Sequence, residues 1–264
     1  MERGLRSTAE ASATFLRLTP PDVPGRRLIC LPFAGGGAAT YRHWPRSLPE
    51  DLEVAAVQLP GRDLSRRGEP LDSIGAMAMA AHIAVRSASD LPYALFGHSL
   101  GALVAFELAL ALERDGGRPP VALFVSGRRP PDQVDTAPPV HALADTPFLD
   151  ELQRRYGGIP DVVRQEPELL ALLLPALRAD VRALETYQPA IGARVACQVH
   201  VYGGRGDTMP RPDELAGWER SAQRPVRTRV FAGGHFFVED EQAVSIVMLG
   251  PSVPKRKERR PEVA

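Results

Sequence analysis

Phe96-Gly97-His98-Ser99-Leu100-Gly101 is the stretch on which the reading of this chain turns. Before it, Leu91, Tyr93, Ala94, Leu95 and Phe96 make an apolar run of strand length. After it, Leu100, Leu103, Val104, Leu108 and Leu110 recur at helical spacing as far as Glu113. The junction predicts strand, sharp turn, helix. A serine at the apex of such a turn is held in strained backbone geometry, and glycines two residues to either side keep Cβ atoms out of the strand-helix crossing. Its hydroxyl then stands clear of the sheet, at the positive end of a helix. Ser99 is therefore a candidate nucleophile, set against the plainer reading of a Gly/Ser-rich turn without chemistry.

Toward the N-terminus, Leu52 to Leu59 and Arg26 to Leu31 read as further strands, with Thr14 to Leu18 as an added edge strand. Ile74 to Val85 carries apolar residues at helical spacing, and His82 within it reads as a surface or packed histidine. Beyond the serine helix, Val121 to Val125 is another strand. Strands alternating with helices predict an α/β fold, a mostly parallel sheet with helices on both faces, whose ligands bind beyond the carboxyl ends of the strands. Ser99 belongs to that edge.

From Pro130 to Pro189 the alternation stops. Thr146 to Tyr156 follows a cap-like Asp145, and Pro167 to Glu185 carries seven apolar residues at helical spacing, with Pro175 expected to kink or divide it. A helical lid inserted over the active edge accounts for the interruption, against ordinary helical packing on the core. Sheet signals resume at Ala196 to Tyr202 and at Val226 to Phe231. The expected division is a disordered N-terminus at 1–12, a core at 13–129 and 190–248, the lid at 130–189 and a basic disordered tail at 249–264.

The last two strands each end in a glycine turn that delivers one ionisable residue: Gly203-Gly204-Arg205-Gly206-Asp207 and Gly233-Gly234-His235. A serine hydroxyl needs a base to take its proton, imidazole has the pKa to take and return it, and an aspartate behind the ring fixes the tautomer. Ser99, His235 and Asp207 fill those roles in the chain order expected of α/β-hydrolases. His98 adjoins the serine but points elsewhere in a sharp turn, so it orients the turn or packs nearby. Asp180 and Glu185 lie on a lid helix and Asp213 and Glu214 open the next one, whereas Asp207 follows a strand directly, which makes it the candidate acid, set against a loop aspartate that caps its own turn. The glycine-rich Pro32 to Gly37 lacks the spacing and the Lys-Ser/Thr of a phosphate-binding loop, and reads instead as the segment offering an oxyanion N–H to the serine. Arg62, Arg66 and Arg67 crowd one loop and read as a solvated basic face, with partner binding as the alternative.

At 264 residues the chain can bury the core of one large domain. Lys plus Arg and Asp plus Glu are equal at 32 each, which gives no nucleic-acid or membrane signal. Cys30 and Cys197 sit in apolar runs and read as buried reduced thiols, not as a disulfide or metal site. No apolar stretch approaches the ~20 residues of a membrane span. A cytoplasmic location is expected.

With these residues in place the chain resembles the type II (editing) thioesterases of polyketide and nonribosomal peptide assembly lines, within the α/β-hydrolase superfamily. The resemblance runs from about Leu28 to Phe237. Its six ordered blocks are Leu31-Pro32-Phe33-Ala34-Gly35-Gly36, Gln58-Leu59-Pro60-Gly61-Arg62, Phe96 to Gly101, Pro175-Ala176-Leu177-Arg178-Ala179-Asp180, Gly203 to Asp207 and Gly233 to Phe237. It implies Ser99, Asp207 and His235 as the triad and the backbone N–H groups of Ala34 and Leu100 as the oxyanion hole. It further implies short or aberrant acyl or aminoacyl thioesters as substrates, carried on the phosphopantetheine arm of an acyl or peptidyl carrier protein. Phosphopantetheine then enters only as part of the substrate, no metal or other cofactor is expected, and the enzyme is expected to be a monomer. A free-standing esterase or acyl-CoA hydrolase, or a non-catalytic interaction module on the same fold, are the competing expectations. The C-terminus departs from the family pattern: the closing helix expected over Glu239 to Met248 is cut short by Gly250, Pro251 and Pro254.

Overall fold

The structure is a computed structural model that describes residues 13–19, 24–62, 68–86, 90–133, 137–156 and 166–240. The expectations for 1–12, for Arg66 and Arg67, for the tail at 249–264 and for a helix beyond residue 240 lie outside the described residues.

Seven strands, β1 (Thr14–Thr19), β2 (Arg26–Leu31), β3 (Leu52–Gln58), β4 (Tyr93–His98), β5 (Ala122–Ser126), β6 (Gln198–Gly204) and β7 (Arg227–Phe231), form one sheet in the order β1-β3-β2-β4-β5-β6-β7. Every neighbouring pair is parallel except β1 on β3, the expected edge strand. The central strands read as continuous apolar runs because both faces are covered, and alternate side chains feed two cores. Ile29, Leu31, Leu95, Leu123 and Val199 point into the larger core, shared with helices α1 (Ile74–Arg86) and α2 (Leu100–Arg114). Leu28, Cys30, Phe96, Phe124 and Tyr202 point into the second core. Its cover among the described residues comes from short 3-10 turns at Ala38–Tyr41, Trp44–Ser47 and Phe237–Glu239.

Between β5 and β6 the described residues form no strand, but two helices, α3 (Asp145–Tyr156) and α4 (Pro167–Glu185). They share a small core of their own, in which Val140, Phe148, Leu149, Leu152 and Val181 are buried. Pro175 lies inside α4 without dividing it. Arg178 fastens the base of this insertion: it stacks over the Phe148 ring, donates to the Leu143 carbonyl at 2.7 Å and pairs with Asp145 at 2.7 Å. Cys30 and Cys197 are buried and unbridged, and burial pushes the Cys197 thiol up to about 12. No helix among the described residues is long and apolar enough to cross a membrane.

Candidate active site

β4 stops at His98 and α2 starts at Leu100, which leaves Ser99 alone at the turn. Its φ of 53° and ψ of −114° make it the one non-glycine residue with positive φ among the described residues. Such a conformation costs an ordinary side chain on the order of 1–3 kcal/mol and persists only where its surroundings impose it. The imposing contacts are backbone to backbone. A Cβ on Gly97 would lie 2.0 Å from the Gly101 carbonyl oxygen, and one on Gly101 would lie 2.2 Å from that of Leu31. The Ser99 N–H donates to the Ser126 carbonyl at 2.8 Å, which locks the turn to β5.

The loops after β6 and β7 are tied together in the same way. The Arg205 N–H donates to the Phe231 carbonyl at 2.8 Å and the Gly206 N–H to that of Gly233 at 2.9 Å. This brings Asp207 and His235 side by side with 2.8 Å between Oδ2 and Nδ1 and with both side chains almost wholly buried. The second carboxylate oxygen accepts the Met209 N–H at 2.9 Å. An acceptor on Nδ1 makes that nitrogen the protonated one and leaves Nε2 to exchange protons.

Ser99, Ala34 and His235 line one apolar cavity of about 80 Å³. Phe33 and Phe236 close its sides, and Leu152, Tyr156, Leu177, Val181 and Leu184 of the helical insertion form its roof. Leu100 heads α2 beside Ser99, where the first N–H groups of a helix have no intrahelical acceptor. A wider cleft of about 480 Å³ on the far side of Phe33, between Thr40, Trp44 and Glu239, is lined by none of the expected triad.

His98 is packed. Its ring is buried, with Nδ1 3.0 Å from the Ser126 Oγ and its centre 5.0 Å from that of His235. Burial holds its pKa well below the usual histidine range, and the His235 charge adds to the effect. His82 is a half-buried helix residue 3.4 Å from Asp115.

Arg62 corrects the sequence reading. It is buried, not solvated, and its guanidinium grips the carboxylate of Asp180 on α4 with both terminal nitrogens, Nη1 to Oδ2 at 2.8 Å. Burial raises the Asp180 carboxyl above the ordinary carboxylate range, against the opposing pull of Arg62 and of the Gly35 N–H. The sequence carried a signal for this pair. Asp180 falls in the apolar stripe Leu173, Leu177, Val181, Leu184 of α4, and a carboxylate on a buried helix face needs a partner. The aromatic walls Phe33, Tyr156 and Phe236 carried none, since single aromatics in loops and at helix ends have no period.

A family model described as Thioesterase domain matches residues 26–249. The gramicidin S biosynthesis protein GrsT of Aneurinibacillus migulanus is 34% identical over 82% of this chain and 84% of its own length. The thioesterase PikA5 of Streptomyces venezuelae is 40% identical over 85% of this chain and 80% of its own. Among solved structures, the type II thioesterase BorB from the borrelidin biosynthetic cluster superposes with a TM-score of 0.76 at 36% identity, over 89% of this chain and 93% of that one. A sheet rim with these loops, on a chain matched along most of its length, leaves one conclusion: this protein is a member of the thioesterase family, built on the α/β-hydrolase fold.

Proposed function

We propose that the protein is a serine thioesterase that removes short or aberrant acyl groups from the phosphopantetheine arm of carrier proteins, an editing role in polyketide or nonribosomal peptide biosynthesis. The observation that carries the chemistry is the buried Asp207–His235 pair at the rim of the small cavity that also exposes Ser99. The likeness to PikA5 and BorB carries the setting.

In this reading His235 Nε2 takes the Ser99 proton as Oγ attacks the thioester carbonyl, and Asp207 stabilises the imidazolium that forms. The oxyanion is held by the N–H groups of Ala34 and Leu100, donors fixed before the charge develops. The thiolate departs easily, since its conjugate acid has a pKa of about 8.5, and it receives the proton from His235. Water deprotonated by the same ring then attacks the acyl-serine, and Ser99 recovers its proton. Both steps run on side chains, backbone amides and water, with no cofactor or second subunit required.

The cavity argues for the substrate class. At about 80 Å³ it is far smaller than ordinary ligand sites of roughly 300–1,000 Å³, so it suits an acyl group of a few carbons. Among the described residues its lining offers no side-chain charge besides a protonated His235 to pair with a carboxylate or an ammonium. Neutral acyl groups such as acetyl and propionyl fit that chemistry, with the carrier held outside.

The test is to load an acyl carrier protein with acetyl, propionyl or malonyl groups and follow release of the free thiol. Release from the acetyl and propionyl forms above a Ser99→Ala control is expected. Rates on small soluble esters or acyl-CoA far above those on the carrier would assign the protein to free-standing hydrolysis instead.

A further inference from the structure

The Arg62–Asp180 pair lies outside the proposed triad, yet it touches the segment that carries the Ala34 N–H. Asp180 Oδ2 accepts the Gly35 N–H at 2.8 Å while also accepting from Arg62. Arg62 donates in turn to the Gly36 carbonyl at 2.9 Å. One buried pair thus holds the 34–35 peptide, next to Ala34, and the 36–37 peptide, and the loop between them is closed by the Gly36 N–H donating at 2.9 Å to the Phe33 carbonyl, which shares its peptide group with the Ala34 N–H. Gly35 has a φ of +75° and sits against Leu177, whose Cδ1 is 3.2 Å from where a Cβ would be. Loop and roof helix are therefore in direct contact at this point.

Asp180 also belongs to the helix that supplies Leu177, Val181 and Leu184 to the cavity roof. A fork-to-fork guanidinium-carboxylate pair fixes orientation as well as distance. Burying such a pair is at best a weak source of stability, because desolvation offsets the attraction. Its geometry is the more informative property: one carboxylate joins the acyl roof to the loop that is to hold the oxyanion.

We propose that Arg62 and Asp180 are positioning residues for hydrolysis, a clamp that aligns the Ala34 N–H with the oxyanion and couples that alignment to the seating of helix α4 over the acyl group. The inference rests on the thioesterase reading of Ser99 and Ala34 given above. Its consequence is that an acyl group that fits under the roof meets a formed oxyanion hole. One that lifts α4 pulls on Asp180 and displaces the Gly35 peptide, so misfit lowers the chemical rate and not merely the affinity.

The test compares Asp180→Asn, which keeps an oxygen for the Gly35 N–H but loses the charge, and Arg62→Lys, which keeps the charge but loses the fork, with wild type and Ser99→Ala. Turnover of the propionyl thioester of N-acetylcysteamine gives kcat and KM. Butylboronic acid reports on tetrahedral adducts at Ser99, and the corresponding planar amide reports on the cavity alone. Each variant should lose about 10- to 100-fold in kcat with KM within about threefold, and boronate affinity should fall by a similar factor while amide affinity holds. Arg62→Ala should fall further than Arg62→Lys. Unchanged kcat in both variants overturns the clamp, and so does a parallel loss of boronate and amide binding, which marks a collapsed cavity. Should Asp180→Asn fail to fold, Arg62→Lys decides on the same readouts. Failure of the underlying reading looks different: Ser99→Ala would then match wild type on the thioester.

Discussion

At the rim of the sheet backbone meets backbone, whereas in the insertion above it side chain meets side chain. Ser99 is positioned by the crossing of Gly97, Gly101 and the Leu31 carbonyl, and Asp207 and His235 by amide-to-carbonyl ties between two glycine loops. The roof is a small separate core of Phe148, Leu149, Leu152 and Val181, with ends fastened by Arg178 and by Glu185, which accepts the Val140 N–H at 2.7 Å. Main-chain contacts leave few positions for adjustment, while methylene contacts tolerate exchange at modest cost. On the proposed function, the chemistry is built where the chain is least variable in shape and the choice of acyl group where it is most adjustable.

The largest effect expected at the rim is on turnover. His235→Ala should lower kcat on an acyl-carrier substrate by about 10⁴-fold or more with little change in thermal melting, since the members of a triad such as the one proposed act as a unit. A loss below tenfold, measured by thiol release, would remove His235 from the role of base. Next in size, Gly101→Ala should cost more than about 3 kcal/mol in urea unfolding, because its Cβ would be forced to 2.2 Å from a carbonyl that cannot swing aside. A small cost would mean that the rim is as pliable as the roof.

Acid should weaken the sheet. Burial lowers the His200 pKa from 6.5 to about 4 and also holds that of His98 well below the usual histidine range. The unfolded chain binds these protons first, so the histidines' contribution to stability is whole above about pH 6.5 and drains away as pH falls toward 4. For His200, whose ring packs 4.7 Å from that of Phe124, the loss is about 3 kcal/mol at most. Urea midpoints measured between neutral and mildly acid pH should fall accordingly, and His200→Phe should flatten part of the slope. A wild-type profile without slope would contradict the buried neutral state.

The smaller effect belongs to the roof. Leu152, Tyr156, Val181 and Leu184 line both the cavity at Ser99 and a void of about 20 Å³ behind it. Leu184→Ala should join the two and raise the hexanoyl-to-acetyl ratio of kcat/KM by about tenfold, the worth of a methylene or two in a pocket, while the acetyl kcat stays near wild type. An unchanged ratio would show that chain length is set elsewhere.

The same contrast decides what could be read from the residues alone. The turn at Ser99 and the deliveries of Asp207 and His235 are local events, each a strand, a glycine turn and one polar side chain within a few positions, and each sits where the spacing puts it. The Arg62–Asp180 pair joins residues 118 apart in the chain. Arg62 among other arginines looked like surface, and only its packing under α4 makes it core. The shape of the roof was equally hidden, because periodicity shows that α3 and α4 have an apolar face but not how closely that face descends on Ser99.

The dihedral angles of Ser99 have one last implication. Glycine occupies φ of 53° and ψ of −114° without penalty, so Ser99→Gly should outlast Ser99→Ala in urea by about 1 kcal/mol, although both lack the hydroxyl. The reacting centre is thus the place where durability and usefulness ask for different amino acids. Only the loss of the Cβ lifts the penalty, and the alcohol goes with it, so on the proposed function the strain at this position is a standing cost borne for turnover.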